Sequence, residues 1–102
     1  MAQLVVLYKT PTDPAAFDEH YFGRHAALAK KMPGLRKFEV NDGAVTTPAG
    51  PSGIHLVAVL HFDSVAAIQA SFASPEGRAA AADEQTFATG GSDILLFETR
   101  QV

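Results

Sequence analysis

Two stretches of the chain are apolar at successive as well as at alternate positions, and both predict β-strands. The first covers residues 3–9, and the second, longer run is Ile54–Phe62. Because side chains alternate between the two faces of a strand, apolar residues at both parities indicate that both faces are covered. Shorter and more polar stretches at residues 35–41 and 93–101 predict two further strands.

Residues 14 to about 31 predict an amphipathic helix between the first and second strands. Asp13 is a suitable N-cap, and Pro14 follows at the first helical position, where its missing N–H costs nothing. Pro33 and Gly34 end the pattern. At about 100° per residue, one arc of this helix holds most of the apolar side chains. They are Phe17, Tyr21, Leu28 and Met32, with Phe22 and Ala29 at the edge.

Two shorter helices are predicted between the third and fourth strands. Ser64 can cap the first of them, and Ser74 with Pro75 begins the second, which ends before Gly90 and Gly91. Residues 42–53 are rich in glycine and proline and predict a loop. The resulting order, β-α-β-β-α-β with a divided second helix, predicts one α+β domain of ferredoxin-like topology over residues 1–102.

The two-sided apolar strands also predict a homodimer. In a ferredoxin-like sandwich both helices cover one face of the sheet and leave the other face bare. A bare face of Val and Leu would be an apolar patch of a size that monomers seldom expose. A second copy of the chain is the simplest cover, so we expect pairing through the sheet face into a dimeric α+β barrel.

Charge and composition narrow the choice of partners. The net charge is −3, the pI is about 5.7 and only eight residues are Lys or Arg, so we expect no nucleic-acid partner. There is no cysteine, which excludes disulfides and thiolate chemistry. No window approaches the roughly 20 apolar residues of a membrane span, and the N-terminus does not resemble a signal peptide. We expect a cytoplasmic protein without a membrane partner.

His25 is the first candidate for chemistry because it lies near the centre of the apolar arc of the predicted helix. Burial should lower its pKa and keep the ring neutral near pH 7, so that it can act as a general base or orient a ligand oxygen. The alternative is a structural histidine whose nitrogens are satisfied by a backbone carbonyl or a tyrosine hydroxyl. An acid within hydrogen-bond distance of His25 would discriminate between the two.

Tyr21 and Asp83 are the other two candidate catalytic residues. Tyr21 is expected in the core with its hydroxyl directed at a pocket, whereas Tyr8 is expected to serve sheet packing alone. Asp83 follows the apolar side of its helix near Phe87. It is either a buried acid that partners a pocket residue, or a half-exposed acid that pairs with a nearby arginine.

No metal site or bound cofactor is expected. His55 and His61 have the same parity in their strand and would lie about 20 Å apart on one face. His20 and His25 would point about 140° apart on an α-helix, which argues against a shared site. The chain contains no HExxH pattern, glycine-rich phosphate loop or hydrolase-like serine motif.

The pattern Phe17-x3-Tyr21-x3-His25-x2-Leu28-x4-Pro33-Gly34 resembles the signature of the EthD family. A later stretch, with Ser74-Pro75-Glu76, Ala82-Asp83 and Phe87, is similar to that family's second half. EthD proteins were first associated with ethyl tert-butyl ether degradation and are often labelled reductases or oxidoreductases. The resemblance implies a dimeric α+β barrel, an architecture shared with cofactor-independent monooxygenases, muconolactone isomerases and polyketide cyclases. It also implies His25 and Tyr21 as pocket residues, with Asp83 as a third.

Three functions agree with these observations. The first is an enzyme that acts on a small apolar organic compound without a tightly bound cofactor, either oxidoreductase-like or isomerase- and cyclase-like. The second is a non-catalytic binding or accessory protein of an oxidative degradation system. The third is a structural dimer in which His25 belongs to the core. The fold alone does not select one of them, because it supports many chemistries.

Overall fold

The computed structural model describes residues 1–102 and contains one four-stranded sheet with helices on one side. The first half of the chain comprises β1 (Ala2–Lys9), α1 (Pro14–His20), a π-helical turn (Tyr21–His25), α2 (Ala26–Ala29) and β2 (Lys37–Val40). The two-residue strands β3 (Thr46–Thr47) and β4 (Gly50–Pro51) follow. The second half comprises β5 (Ile54–Phe62), α3 (Val65–Ala73), α4 (Pro75–Phe87) and β6 (Ser92–Glu98).

The sheet is antiparallel with the order β2-β5-β1-β6, so that β5 and β1 are its central strands. This arrangement confirms the predicted ferredoxin-like α+β fold. The divided second helix is present as α3 and α4, and Ser64 and Ser74 cap them as predicted by accepting backbone hydrogen bonds. Asp13 caps α1 in the same way, ahead of Pro14.

The two faces of the sheet differ in burial. The face under the helices forms the core, and its side chains from the central strands are buried: Leu4, Val6, Tyr8, Leu56, Ala58 and Leu60. The opposite face, which we call the open face, carries apolar side chains that are half-buried or exposed: Val5, Leu7, Val57, Val59, Leu95 and Phe97. The chain therefore leaves one apolar sheet surface uncovered, as the two-sided strands predict.

The first helical segment differs from the single α-helix predicted over residues 14–31. It ends at Ala29 and is interrupted by the π-helical turn, in which the N–H of Ala26 donates to the carbonyl of Tyr21. A π-turn advances by a smaller angle per residue than an α-turn. His20 and His25 therefore point to the same side, and the expected separation of about 140° is wrong. Phe22, placed at the edge of the apolar arc, is 56% exposed.

The prediction that His55 and His61 lie on one face of β5 is wrong, because this strand contains a β-bulge. Tyr8 pairs with Leu56 and Lys9 pairs with Ile54, so His55 has no partner in the register. The ring of His55 reaches α1, where Nε2 lies 2.7 Å from Asp18. His61 instead contacts Glu39 of β2 on the open face. The two histidines do not share a face, because the bulge reverses the alternation at this end of the strand.

The remaining differences are at strand ends. β2 is shorter than residues 35–41, and β6 ends at Glu98 rather than at residue 101. The loop predicted at residues 42–53 contains the small hairpin of β3 and β4. None of the helices combines the length and the apolar character that are needed to span a lipid bilayer.

The junction between α3 and α4 depends on a close approach at Gly77, which we expect to be intolerant of any side chain. A Cβ atom there would lie 1.9 Å from the carbonyl oxygen of Ser71. Gly77→Ala should lower the free energy of unfolding by roughly 1–3 kcal/mol, measured by urea denaturation. Gly23→Ala is the control, because its Cβ would meet nothing within 4 Å. Equal stability of Gly77→Ala and wild type would contradict this account.

Candidate functional site

The carboxylate of Asp83 on α4 is the centre of a buried polar cluster. Nε2 of His20 lies 2.9 and 3.0 Å from its two oxygens, and Nδ1 of His25 lies 3.0 Å from Oδ2. Nε of Arg24 donates to Oδ1 at 3.2 Å. The Asp83 side chain is only 6% exposed. All three donors come from the segment around the π-helical turn, so this turn brings residues four and five positions apart onto one carboxylate.

The contact with Asp83 determines which nitrogen of His25 carries a proton. A carboxylate can only accept hydrogen bonds, so Nδ1 of His25 must be the donor. In a neutral imidazole the other nitrogen, Nε2, then keeps a free lone pair. Nε2 makes no hydrogen bond within the chain, and His25 lines an internal cavity. His25 therefore combines a place in the cavity wall with a nitrogen that is free to accept a proton.

Burial and charge favour a neutral His25 beside an ionised Asp83. Burial lowers the pKa of His25, and the hydrogen bond and charge of Asp83 only partly oppose this effect. Burial alone would raise the pKa of Asp83. The hydrogen bonds and charges of His20 and His25 outweigh it, so the pKa of Asp83 falls below its ordinary value. Near pH 7 the pair is a carboxylate and a neutral imidazole.

The cavity lies between the sheet and the helices and is almost entirely apolar. It has room of about 50 Å³ for the centre of a water-sized molecule, and its empty volume is about 430 Å³, which includes open solvent at its mouth. Of its 15 lining residues, only His25 and Glu84 are not hydrophobic. The apolar wall includes Leu4, Val6, Met32, Leu60 and Phe72. Met32 has a flexible side chain, which allows the wall to adapt to a ligand larger than the enclosed space.

Two tyrosines of the cavity wall have hydroxyls without a protein partner. Tyr8 and Tyr21 are 2% and 1% exposed, their rings pack edge to face at 5.6 Å, and both line the cavity. Neither hydroxyl is hydrogen-bonded within the chain. Burial raises the pKa of both hydroxyls above the ordinary value, so both stay protonated and can donate to a ligand oxygen.

Aromatic packing holds the two histidine rings in place. The ring of Phe87 lies 4.7 Å from His25 and 5.0 Å from His20, measured between centroids. Tyr21 lies 5.2 Å from His25 and 5.7 Å from Phe87, so these three rings pack against one another. These rings cover the His25–Asp83 contact, where both side chains are buried, whereas Arg24 on the outer side of the cluster is exposed.

The structure brings the three candidate residues together. His25 and Asp83 are hydrogen-bonded, and Tyr21 packs against His25. The partner of His25 is a carboxylate rather than the backbone carbonyl or tyrosine hydroxyl considered as alternatives. Asp83 has features of both of the environments that were considered for it. It is buried against His25, and it also pairs with Arg24. Tyr8, expected only to pack, is also part of the cavity wall.

Three residues of the site were missed in the sequence, His20, Arg24 and Glu84. His20 was excluded because the π-helical turn was not foreseen. Glu84 is 8% exposed, lines the cavity and accepts a hydrogen bond from Ser92. Ala80, Glu84 and Phe87 follow the helical spacing of a buried face. The position of Glu84 in this apolar pattern could therefore have identified it in the sequence as a buried acid.

The lining also indicates which ligands the cavity can hold. No Lys or Arg side chain lines it, so it offers no cation for the phosphates of a nucleotide cofactor. No group of three or more His, Asp or Glu side chains has the arrangement of a metal site. The apolar wall with a few polar groups suits a small organic molecule.

The chain is similar in sequence and in fold to known proteins. The EthD domain matches residues 9–91. An 11.0 kDa protein from the thcB-thcC intergenic region of Rhodococcus erythropolis is 37% identical over 102 residues, which cover all of this chain and 98% of that protein. An EthD family protein from Bacillus halodurans superposes with a TM-score of 0.89 at 35% identity, over 98% of this chain and 99% of the other.

More distant structures share the fold alone. SnoaB from Streptomyces nogalater, described as a cofactor-independent oxygenase, has a TM-score of 0.70 at 21% identity, over 99% of this chain and 94% of the other. Other structures below 25% identity include proteins described as dimeric. The domain match over most of the chain and the relatives above 30% identity together show that this chain belongs to the EthD family.

Proposed function

We propose that the cavity binds a small, mainly apolar organic molecule and that His25 removes a proton from it as a general base. The observation that supports this most directly is the 3.0 Å hydrogen bond between Nδ1 of His25 and Asp83. It leaves Nε2 free beside the cavity. An acid at this distance is the feature that favours an enzyme over a passive binding protein or a purely structural dimer.

The proposed reaction is a proton transfer within the cavity. Nε2 of His25 takes a proton from a C–H or O–H group of the ligand, and the electron pair of the broken bond stays on the ligand. Asp83 stabilises the imidazolium that forms and keeps its orientation, so it is a positioning residue. Tyr21 donates a hydrogen bond to the ligand oxygen on which negative charge develops.

The protonated His25 can complete the cycle in two ways. It can return the proton to another atom of the ligand, which is an isomerisation or a step of a cyclisation. In an oxidoreductase-like reaction, the deprotonated ligand would instead reduce dioxygen and form a C–O bond to it, and the resulting peroxide anion would take back the proton from His25 to give a hydroperoxide. Neither route requires a bound cofactor, and SnoaB, described as a cofactor-independent oxygenase, is a precedent on the same fold.

We also propose that two copies of the chain pair through the open face. Leu95 and Phe97 on this face are 49% and 40% exposed, next to half-buried valines of the central strands. A standard interface buries about 800 Å² per partner, which is within reach of a four-stranded sheet face. Pairing would cover the apolar surface and add stability to a small domain.

The first test removes the base and its partner. Wild-type protein in D2O should accelerate hydrogen exchange next to the carbonyl of small neutral ketones such as cyclohexanone, followed by NMR. His25→Gln should reduce the exchange rate about 10²-fold or more, the usual contribution of a general base. Asp83→Asn should have a similar effect, because its amide can donate to Nδ1 and leave the proton on Nε2.

His55→Gln is the matched control, since His55 contacts Asp18 outside the cavity. It should keep the wild-type exchange rate. If His25→Gln exchanged as fast as wild type while binding the ketone equally well, a non-catalytic binding function would replace the proposal.

The pH dependence gives a second test. The base must be neutral, and burial lowers the pKa of His25 from 6.5. The exchange rate should therefore be constant above that pH and fall only at a lower pH, where His25 becomes protonated. NMR titration of the His25 ring should show the same lowered pKa, and a lower one still in Asp83→Asn. A pKa at or above 6.5 would contradict the assigned environment.

The third test concerns the open face. Leu95→Asp places a charge in the proposed interface and should shift the protein from dimer to monomer in analytical ultracentrifugation at micromolar concentration. Phe22→Asp is the control, because Phe22 is 56% exposed but belongs to the helical layer. It should leave the dimer intact. A wild-type protein that sediments as a stable monomer at this concentration would refute the proposed pairing.

A further inference from the structure

Glu84 is a buried acid that the proposed proton transfer does not use. It is 8% exposed and lines the cavity together with His25. One of its oxygens accepts a hydrogen bond from Ser92, and the other has no partner in the chain. Asp83, the preceding residue, is paired with three basic side chains. None of the seven ion pairs of the chain includes Glu84.

A buried carboxylate without a cation is unfavourable unless something else satisfies it. A single hydroxyl donor leaves most of its acceptor capacity unused. The charge of Glu84 also affects the pKa of two other residues of the cavity wall. Burial is the main cause that raises the pKa of Tyr8, and the charge of Glu84 raises it further. The same charge acts on His25, where it opposes the larger effect of burial.

The unused hydrogen-bonding groups of the cavity form a definite set. Nε2 of His25 and the free oxygen of Glu84 can accept. The hydroxyls of Tyr8 and Tyr21 can donate, and both tyrosines are more than nine-tenths buried. No cation is present to neutralise an anionic ligand. The set therefore matches a neutral ligand that has its own donor.

We propose that Glu84 determines ligand specificity, by accepting a hydrogen bond from a hydroxyl group of a neutral ligand and by repelling carboxylates. This inference rests on the proposed function of the cavity and narrows its ligand class to small, mainly apolar compounds that carry a hydroxyl group and no negative charge. Like charges repel strongly in an apolar cavity, where the effective dielectric constant is low.

Three probes of similar shape test the inference by NMR titration of the Tyr8, Tyr21 and His25 ring signals. They are benzyl alcohol, which has a donor, toluene, which has none, and benzoate, which is an anion. Near pH 7, wild-type protein should bind benzyl alcohol at least about tenfold more tightly than benzoate. It should also bind benzyl alcohol more tightly than toluene.

Glu84→Gln removes the charge but keeps the shape and an acceptor for Ser92. It should reduce the preference for benzyl alcohol over benzoate about tenfold while leaving the affinity for toluene unchanged. Glu19→Gln is the matched control, because it changes the net charge equally and Glu19 is exposed on α1. It should keep the wild-type preference. Thermal unfolding checks that both variants are folded.

The possible failures are distinguishable. If wild-type protein binds benzoate as tightly as benzyl alcohol, or if Glu84→Gln keeps the full preference, the role of Glu84 is refuted and the cavity remains a binding site. If none of the three probes perturbs the ring signals, both the specificity and the proposed binding function fail. The wild-type comparison alone tests the inference if Glu84→Gln does not fold.

Discussion

The buried carboxylate of Asp83 joins α4 to the first helical segment, and the geometry of the site depends on it. Without donors, a carboxylate at this depth would strongly destabilise the fold. His20, Arg24 and His25 supply these donors, and the π-helical turn is the backbone geometry that makes their shared contact possible. The orientation of His25, its tautomer and the free nitrogen at the cavity all follow from this one contact.

Asp83 and Glu84 are adjacent in sequence but belong to different environments. On an α-helix, successive side chains point about 100° apart, so the first acid meets the donors of the π-turn and the second meets the cavity and Ser92. One acid is compensated by three basic groups, and the other is left with a single neutral donor. In the proposed function, one helical turn thereby supplies both the positioning group for the base and an acid in the wall of the ligand cavity.

The fold could be predicted largely from the sequence, because its signals are local. Two-sided apolar runs indicated β1 and β5, and Asp13, Ser64 and Ser74 marked the helix starts. The candidate residues could be named because His25 and Tyr21 follow the apolar arc of the first helix and Asp83 follows the apolar side of α4, and because the resemblance to the EthD family pointed to the same residues. Their mutual distances could not, because they depend on how α4 packs on the first helical segment. The π-turn and the bulge at His55 also escaped prediction, since each adds one residue to a regular repeat without a distinct residue pattern.

The π-helical turn has a further consequence for any comparison or redesign of this helix. Its wider turn changes the angular phase of the segment, so Phe17 and Met32 do not belong to one continuous helical wheel. A homologue that lacks one residue between Tyr21 and His25 would form a regular α-helical turn here and keep its imidazole on the side of the carboxylate, because four residues of an α-helix turn through about the same angle as the five of the π-helical turn. The sequence spacing of the site residues is therefore separable from their positions in space, and an alignment with such a homologue has to place its gap at the π-helical turn for the residues on either side to superpose.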